Sequence, residues 1–166
     1  MKTDLKCGLA LVPAEADDLR YVSECIRASV VASVRSNEAS LSELWSDTTV
    51  AVALDNISER RMGDEVFVLK DGDARKGMLW MGISRDQYNA EPVGYLLGIY
   101  VDPSIRRKGI GTELMRGILK ELKKHGFMRV SLAVQKANYA LRLYEKAGFR
   151  IIGGNAEEYI MVCDLR

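Results

Sequence analysis

Between Ile99 and Thr112 the chain reads IYVDPSIRRKGIGT, an apolar run that stops at Asp102-Pro103 and turns through a basic, glycine-bearing stretch into a helical pattern. The first turn of a helix offers main-chain N–H groups without intrahelical partners and a partial positive charge, so this junction suits an anion. Gly109 and Gly111 carry no Cβ and let the backbone approach a bulky ligand. Arg106, Arg107 and Lys108 add positive charge at the same point. These residue types predict a phosphate or diphosphate seated at residues 107–112. The competing reading is a solvated turn in which Gly109 only starts the helix. Two familiar phosphate patterns are excluded: GxxxxGK[ST] needs its lysine after the glycines, and Lys108 precedes them, while GxGxxG needs a third glycine where Leu114 stands.

These residues need elements to hold them. Gly109 to His125 keeps Ile110, Leu114, Ile118 and Leu122 at four-residue intervals, with Met115 and Leu119 widening the stripe, which predicts an amphipathic helix. Lys123, Lys124 and His125 suit the negative end of its dipole, and Gly126 its C′ position. The strand feeding the loop is Val93 to Val101, apolar at both parities like Met78 to Ile83 before it, as in strands covered on both faces. Ser84 to Pro92 reads as the loop between them. Glu65 to Lys70 predicts a further strand, and Asp71-Gly72-Asp73 a hairpin turn. After the long helix, Met128 to Gln135 alternates with Val130, Leu132 and Val134 on one face, Ala137 to Ala147 predicts a short helix closed by Gly148, and Phe149 to Ile152 and Tyr159 to Asp164 predict closing strands. Near the start, Gly8 to Val12 predicts a strand, and Asp17 and Asp18 cap a helix carrying Leu19, Val22, Ile26 and Val30. A second helix is expected from near Ser40, with Ser42 as an alternative cap, through Leu41, Leu44, Trp45, Val52 and Leu54 towards Ile57. Trp45 and Trp80 lie in apolar runs and are expected in the core, with Trp45 also placed to line an acceptor pocket.

The glycine loop fits the pattern [Q/R]xxGx[G/A] at Arg106, Gly109 and Gly111, and NYALRLYEKAGF downstream supplies Asn138, Ala140, Tyr144, Gly148 and Phe149 after the strand holding Val134. In these two motifs the chain resembles the GNAT N-acetyltransferase superfamily, from roughly Pro92 to the C-terminus. The resemblance implies an α/β fold with a mixed, mostly antiparallel sheet flanked by helices, in one domain over 1–166 with its cofactor-binding half at about 92–164. It implies acetyl-CoA as acetyl donor, a primary amine as acceptor, and direct transfer without an acyl-enzyme, the donor lying between the strand ending at Val101 and the one ending near Gln135. By the same resemblance Ile99, Tyr100 and Val101 hold the pantetheine arm in the manner of an added strand. Arg106, Arg107, Lys108, Gly109, Ile110, Gly111 and Thr112 form the pyrophosphate motif, Asn138 contacts the cofactor, and Tyr144 is the general acid that protonates the departing thiolate. Asn138 also fits a helix N-cap, a role that can coexist, and Tyr144 also fits a core aromatic.

The pattern departs where a proton must be removed from the amine. The two positions at which family members carry a glutamate hold Tyr95 and Ala133, and neither is a carboxylate. Glu91, Asp86, Glu157 and Glu158 remain, each also readable as a solvated loop charge, and so does an ordered water; no base is assigned. The acceptor is equally open among a protein or peptide amine, a lysine side chain, a polyamine, an aminoglycoside and a small metabolite, with family analogy favouring a protein or peptide amine. The rival class is a CoA-binding regulatory module that has lost turnover. A phosphate-binding protein unrelated to CoA would explain the glycine loop but not the Asn138-to-Phe149 pattern.

Composition bounds the rest. A chain of 166 residues, 48% hydrophobic and 28% charged with a net charge of +1, is sized for one globular core and names no partner by bulk charge. Cys7, Cys25 and Cys163 are scattered and odd in number, and His125 is the single histidine, so neither a disulfide framework nor a metal site is expected. Lys120, Lys123, Lys124 and Arg129 interleave with Glu113 and Glu121 as a solvated helix face, against nucleic-acid binding. Met1 to Cys7 lacks the apolar core of a signal peptide, and no run approaches the roughly 18 apolar residues of a membrane span. The cytoplasm is the expected compartment; a homodimer is compatible with the chain but has no signature in it.

Overall fold

The computed structural model describes residues 3–5, 8–33, 51, 64–85, 88–106 and 108–166. Eight strands form one sheet: β1 (Thr3–Asp4), β2 (Ala10–Pro13), β3 (Asp64–Asp71), β4 (Ala74–Arg85), β5 (Pro92–Val101), β6 (Arg129–Gln135), β7 (Arg150–Gly154) and β8 (Glu158–Asp164). Their order is β1-β2-β3-β4-β5-β6-β8-β7. Every neighbouring pair is antiparallel except β5 with β6. Parallel neighbours cannot be joined by a tight turn, and the connection here is α2 (Ile110–Lys124). Two other helices complete the described fold, α1 (Leu19–Ser33) and α3 (Leu141–Ala147).

Alternation along the strands sorts the core into two layers. Phe67, Leu69, Leu79, Met81, Leu96, Val130, Leu132 and Met161 face the stripe of α2 that holds Ile110, Leu114, Met115, Ile118, Leu119 and Leu122. On the opposite side Val66, Val68, Met78 and Trp80 meet Val22, Cys25 and Ile26 of α1. Trp80 is thus a core residue, as expected. The four-residue spacing in Gly109 to His125 therefore measured one buried face, and Gly126 follows the helix with φ 80°, as its C′ role requires.

Several boundaries move for identifiable reasons. β4 begins at Ala74, not Met78, because Gly72 and Asp73 make a two-residue loop in which Gly72 takes φ 57°, and the ladder closes directly on Asp71 and Ala74. The same hairpin pairing keeps the polar Arg75 in the strand opposite Lys70, with Lys76 as the extra residue of a bulge before Gly77. β4 also runs on to Arg85 and shortens the expected loop before Pro92. α3 starts at Leu141, later than Ala137, because residues 136–140 turn around Asn138. β1 lies within a segment that offers no apolar alternation. The second expected helix, with Trp45, lies outside the described residues apart from Ala51, which is helical.

Asp18 was expected to cap α1 and instead closes a single 3-10 turn at Ala16–Asp18. It is 1% exposed. Its carboxylate accepts from Glu15 N–H at 3.1 Å and from Arg75 Nε at 2.6 Å, with Lys70 Nζ at 3.5 Å. Burial pushes its pKa up, but the Glu15 N–H, the Arg75 hydrogen bond and the two cations outweigh that and hold it below the usual value.

Candidate functional site

The parallel junction is short. β5 pairs with β6 only from Val93–Leu96 to Arg129–Leu132. Beyond it β5 stays with β4, Ile99 opposite Leu79 and Val101 opposite Gly77, while β6 stays with β8, Ala133 opposite Ile160 and Gln135 opposite Glu158. The two strands therefore part. At the parting point β5 carries a bulge, since Trp80 faces Gly98 and Met81 faces Leu96, leaving Leu97 as the extra residue.

Which main-chain groups face the gap follows from the ladder. Asp102 N–H donates to Lys76 O at 2.9 Å. Antiparallel bonds alternate, so Tyr100 and Gly98 are bonded to β4, and Ile99 and Val101 turn their N–H and C=O groups the other way, into the gap. Two side chains meet these carbonyls: Ser29 Oγ of α1 donates to Ile99 O at 3.3 Å, and Arg106 Nε donates to Val101 O at 2.6 Å. Of the expected edge at residues 99–101, the peptide groups of Ile99 and Val101 turn into the gap, whereas those of Tyr100 turn to β4.

At the end of β5, Asp102 Oδ1 accepts from Ser104 N–H at 2.8 Å and holds a short 3-10 turn, Pro103–Ile105. That bonding, first from the Ser104 hydroxyl and then from its N–H, keeps the Asp102 carboxyl below its usual range. Gly109 caps α2 with φ 75°, a conformation that favours glycine, and a Cβ there would touch nothing within 4 Å. Gly111 has a different reason. A Cβ at 111 would lie 2.5 Å from Leu143 Cδ1, so this glycine admits α3 against α2. The expectation that Gly111 serves ligand approach is joined by a packing role the sequence did not reveal. Lys108 is exposed, Thr112 half-buried and Ile110 buried in the core; Arg107 lies outside the described residues.

Arg106 holds an unexpected position. Besides bonding Val101 O, its guanidinium lies 5.2 Å from the Tyr100 ring centroid and 5.9 Å from that of Tyr139. Tyr100 belongs to β5 and Tyr139 to the turn before α3, so three side chains bridge the end of β5 and the lead into α3. Asn138 Oδ1 accepts from Ala140 N–H at 2.8 Å and closes the turn before α3; it is not the N-cap expected as one alternative, because the helix begins later and Ala140, which makes no side-chain cap bond, holds that position. Tyr144 is buried in α3, its ring edge-on to Phe149 at 5.9 Å and 64°. Burial first and the neighbouring Tyr139 second push its hydroxyl above the ordinary tyrosine value, so it is a neutral donor at physiological pH. Burial also pushes the Cys25 thiol up to about 12 and raises Cys163, which leaves neither as a thiolate nucleophile; Cys7 lies outside the described residues.

Tyr95 and Ala133 project from the same face of the sheet, the face opposite α2, and both are exposed, Tyr95 at 46%. Glu91 sits at the far end of β5 and is bonded by Arg166 Nη2 at 2.8 Å. Glu158, opposite Gln135, lies on the Ala133 face one diagonal step along β8. Asp86 lies outside the described residues. Among the described residues no cluster of metal-ligating side chains occurs, and no helix is long and apolar enough to cross a membrane. Tyr139 and Ser29 were missed as site residues. Tyr139 adjoins Asn138 in the downstream motif and was open to notice, whereas Ser29 meets its partner from 70 residues away and carries no local signal.

The GNAT acetyltransferase family pattern matches residues 32–149, more than half of the chain, and the chain belongs to that family. Curated relatives include the mycothiol acetyltransferase of Streptosporangium roseum, 36% identical over 75 residues, which are 44% of this chain and 22% of that protein. Another is the bS18 ribosomal-protein alanine N-acetyltransferase of Escherichia coli, 40% identical over 55 residues, 32% of this chain and 37% of that one. The chain thus spans well under half the length of these relatives. Among solved structures, the PaiA N-acetyltransferase of Thermoplasma acidophilum in complex with coenzyme A superposes with a TM-score of 0.76 at 21% identity, covering 94% of this chain and 98% of that one, a likeness of fold.

Proposed function

We propose that this chain is an acetyl-CoA-dependent N-acetyltransferase acting on a primary amine, with a protein or peptide amine as the favoured acceptor. The observation that carries the reading is the gap between β5 and β6, edged by the peptide groups of Ile99 and Val101 and leading to the glycine-capped start of α2. A strand edge whose peptide groups turn away from β4 fits the amide-bearing pantetheine arm, and the start of a 15-residue helix beside Lys108 fits the diphosphate. Bound there, acetyl-CoA would supply an acetyl thioester to the attacking amine.

In this reading the main-chain N–H groups of Lys108 to Thr112 hold the anionic end, and Ile99 and Val101 align the arm so that the thioester meets the amine in a fixed geometry, an effect worth several kcal/mol. Outward N–H groups at the bulged part of β5 are the donors available for charge developing on the carbonyl oxygen. Tyr144 passes its proton to the sulfur as the C–S bond breaks, and the proton lost by the amine restores the charge balance through solvent. Cofactor contact by Asn138 belongs to the same proposal, alongside its bond to Ala140 N–H. So do the treatment of residues 1–166 as one catalytic domain and a cytoplasmic location.

The preference for a protein or peptide amine is supported by the 40% identity to the ribosomal-protein alanine N-acetyltransferase across the stretch they share. The mycothiol relative keeps a small-molecule amine as the second reading. The test is calorimetric titration with acetyl-CoA, followed by thiol release against peptides with free α-amines, polyamines and aminoglycosides. Binding with release on peptides alone supports the proposal. Release on small amines alone replaces the acceptor, binding without release on any amine makes the chain a CoA-binding module, and no binding refutes the reading.

A further inference from the structure

We propose that Arg106 serves the donor through a clamp it forms with Tyr100 and Tyr139 across the parted strands, and not as a ligand of the diphosphate. This rests on the acetyl-CoA reading above. The residue stands at the end of the 3-10 turn with extended backbone, φ −67° and ψ 165°. Its side chain runs back to Val101, where Nε donates to the carbonyl at 2.6 Å, and its charged carbon is near the Tyr100 and Tyr139 rings at 5.2 and 5.9 Å. The flat cation is therefore committed to one carbonyl and two rings. An anion at the start of α2 has the main-chain N–H groups and Lys108 to meet it without this side chain.

Position gives the clamp its effect. Val101 is one of the two residues whose peptide groups face the gap, and Tyr139 stands on the far side, 60% exposed. A pantetheine arm lying along residues 99–101 would run beside this bridge, and the bridge fixes how far β5 stands from the lead into α3. Arginine suits the task where lysine does not, because it combines a directional N–H with a planar face that stacks on aromatic rings.

The test uses the whole chain with Arg106→Gln, Arg106→Lys, Tyr139→Ala and the Arg106→Gln/Tyr139→Ala double variant. Ligand-observed NMR titration, which reads weak affinities, follows acetyl-CoA and acetyl-pantetheine, the second lacking the phosphates. A clamp weakens both donors by the same factor, about tenfold, or about 1.4 kcal/mol, in either Arg106 variant. The double variant is then no weaker than Arg106→Gln alone, since the two residues act as one unit. Loss confined to acetyl-CoA and largely restored by lysine would overturn the clamp in favour of a phosphate contact. Additive losses, unchanged affinities, or losses that merely follow a falling Tm would overturn it as well. Wild-type protein that binds neither donor would remove the donor reading itself, an outcome distinct from all of these.

Discussion

Replacing Tyr144 with phenylalanine removes one oxygen and leaves the ring in its edge-on contact with Phe149. Since burial raises the hydroxyl and no hydrogen bond contributes to the shift, the deletion strands no buried partner, and stability should change by less than about 1 kcal/mol. The effect belongs to turnover. Protonation by a positioned acid contributes about 10²- to 10⁴-fold, and a thiolate, with an ordinary thiol pKa near 8.5, is a good enough leaving group to sit at the low end. The expected loss is about 100-fold in kcat, or about 2.7 kcal/mol of barrier, with donor Kd nearly unchanged. The pH profile adds a check of sign. A hydroxyl raised above the ordinary value near 10 stays protonated throughout the neutral and mildly alkaline range. It therefore imposes no decline in wild-type kcat below about pH 10. Thiol release with the identified acceptor, from pH 6 to about 9.5, measures both. A kcat within twofold of wild type in Tyr144→Phe would refute the proton-donor role. So would a wild-type alkaline decline well below pH 10 that vanishes in the variant, because the hydroxyl would then be titrating below the ordinary tyrosine value instead of above it.

Lys108→Glu, an exposed charge reversal, should weaken acetyl-CoA by about 1 kcal/mol at low salt and by less as salt is added, and an affinity independent of both charge and salt would remove Lys108 from the anion site. Gly109→Ala and Gly111→Ala should separate two reasons for glycine: the first forces φ 75° on an alanine and costs about 1–2 kcal/mol. The second moves only the end of Leu143 and gains helix propensity, for a net change below about 1 kcal/mol. Urea denaturation of both reads the difference, and equal losses would contradict the packing account. Asp18→Asn should cost about 2 kcal/mol at neutral pH, because the charge that Arg75 and Lys70 meet is gone. The folded-state pKa of Asp18 is depressed, so its contribution is present above the unfolded value near 3.9 and is lost as pH falls through the lower folded one. Wild type and variant should therefore converge in stability at strongly acid pH, and a constant gap would refute the linkage.

The long helix and the strands on either side of it were legible because burial on one face leaves a period in the sequence. Ile110, Leu114, Ile118 and Leu122 mark the covered side of α2, and Val130, Leu132 and Val134 that of β6. The glycine loop was legible because it sits between two such patterns. What escaped depended on residues far apart in the chain. Nothing near Gly111 names Leu143, nothing near Ser29 names Ile99, and Asp18 looks like any acidic cap until the hairpin bearing Lys70 and Arg75 folds over it. Arg106 was found by motif, but its stacking on Tyr100 and Tyr139 arises only when β5 and the lead into α3 are brought together. Tyr95 and Ala133 were rightly seen to lack a carboxylate, whereas the nearness of Glu158 to Ala133 needed the β6–β8 register.

The brevity of the parallel junction also bears on how the protein resists unfolding. Among the described residues, β6, β8 and β7 are tied to the other five strands of the sheet by four residue pairs and the bond from Met128 N–H to Pro92 O, so the sheet has a built-in seam. A molecule lodged beyond that seam and bonded to the amides of Ile99 and Val101 would act as an extra rung. Those amide protons, which face away from β4, should then pass from rapid to slow exchange with deuterium, and a ligand at 100 times its Kd would add about 2.7 kcal/mol of resistance to opening. If the gap admits the donor, the same brevity of pairing makes it the expected place for the empty protein to yield first.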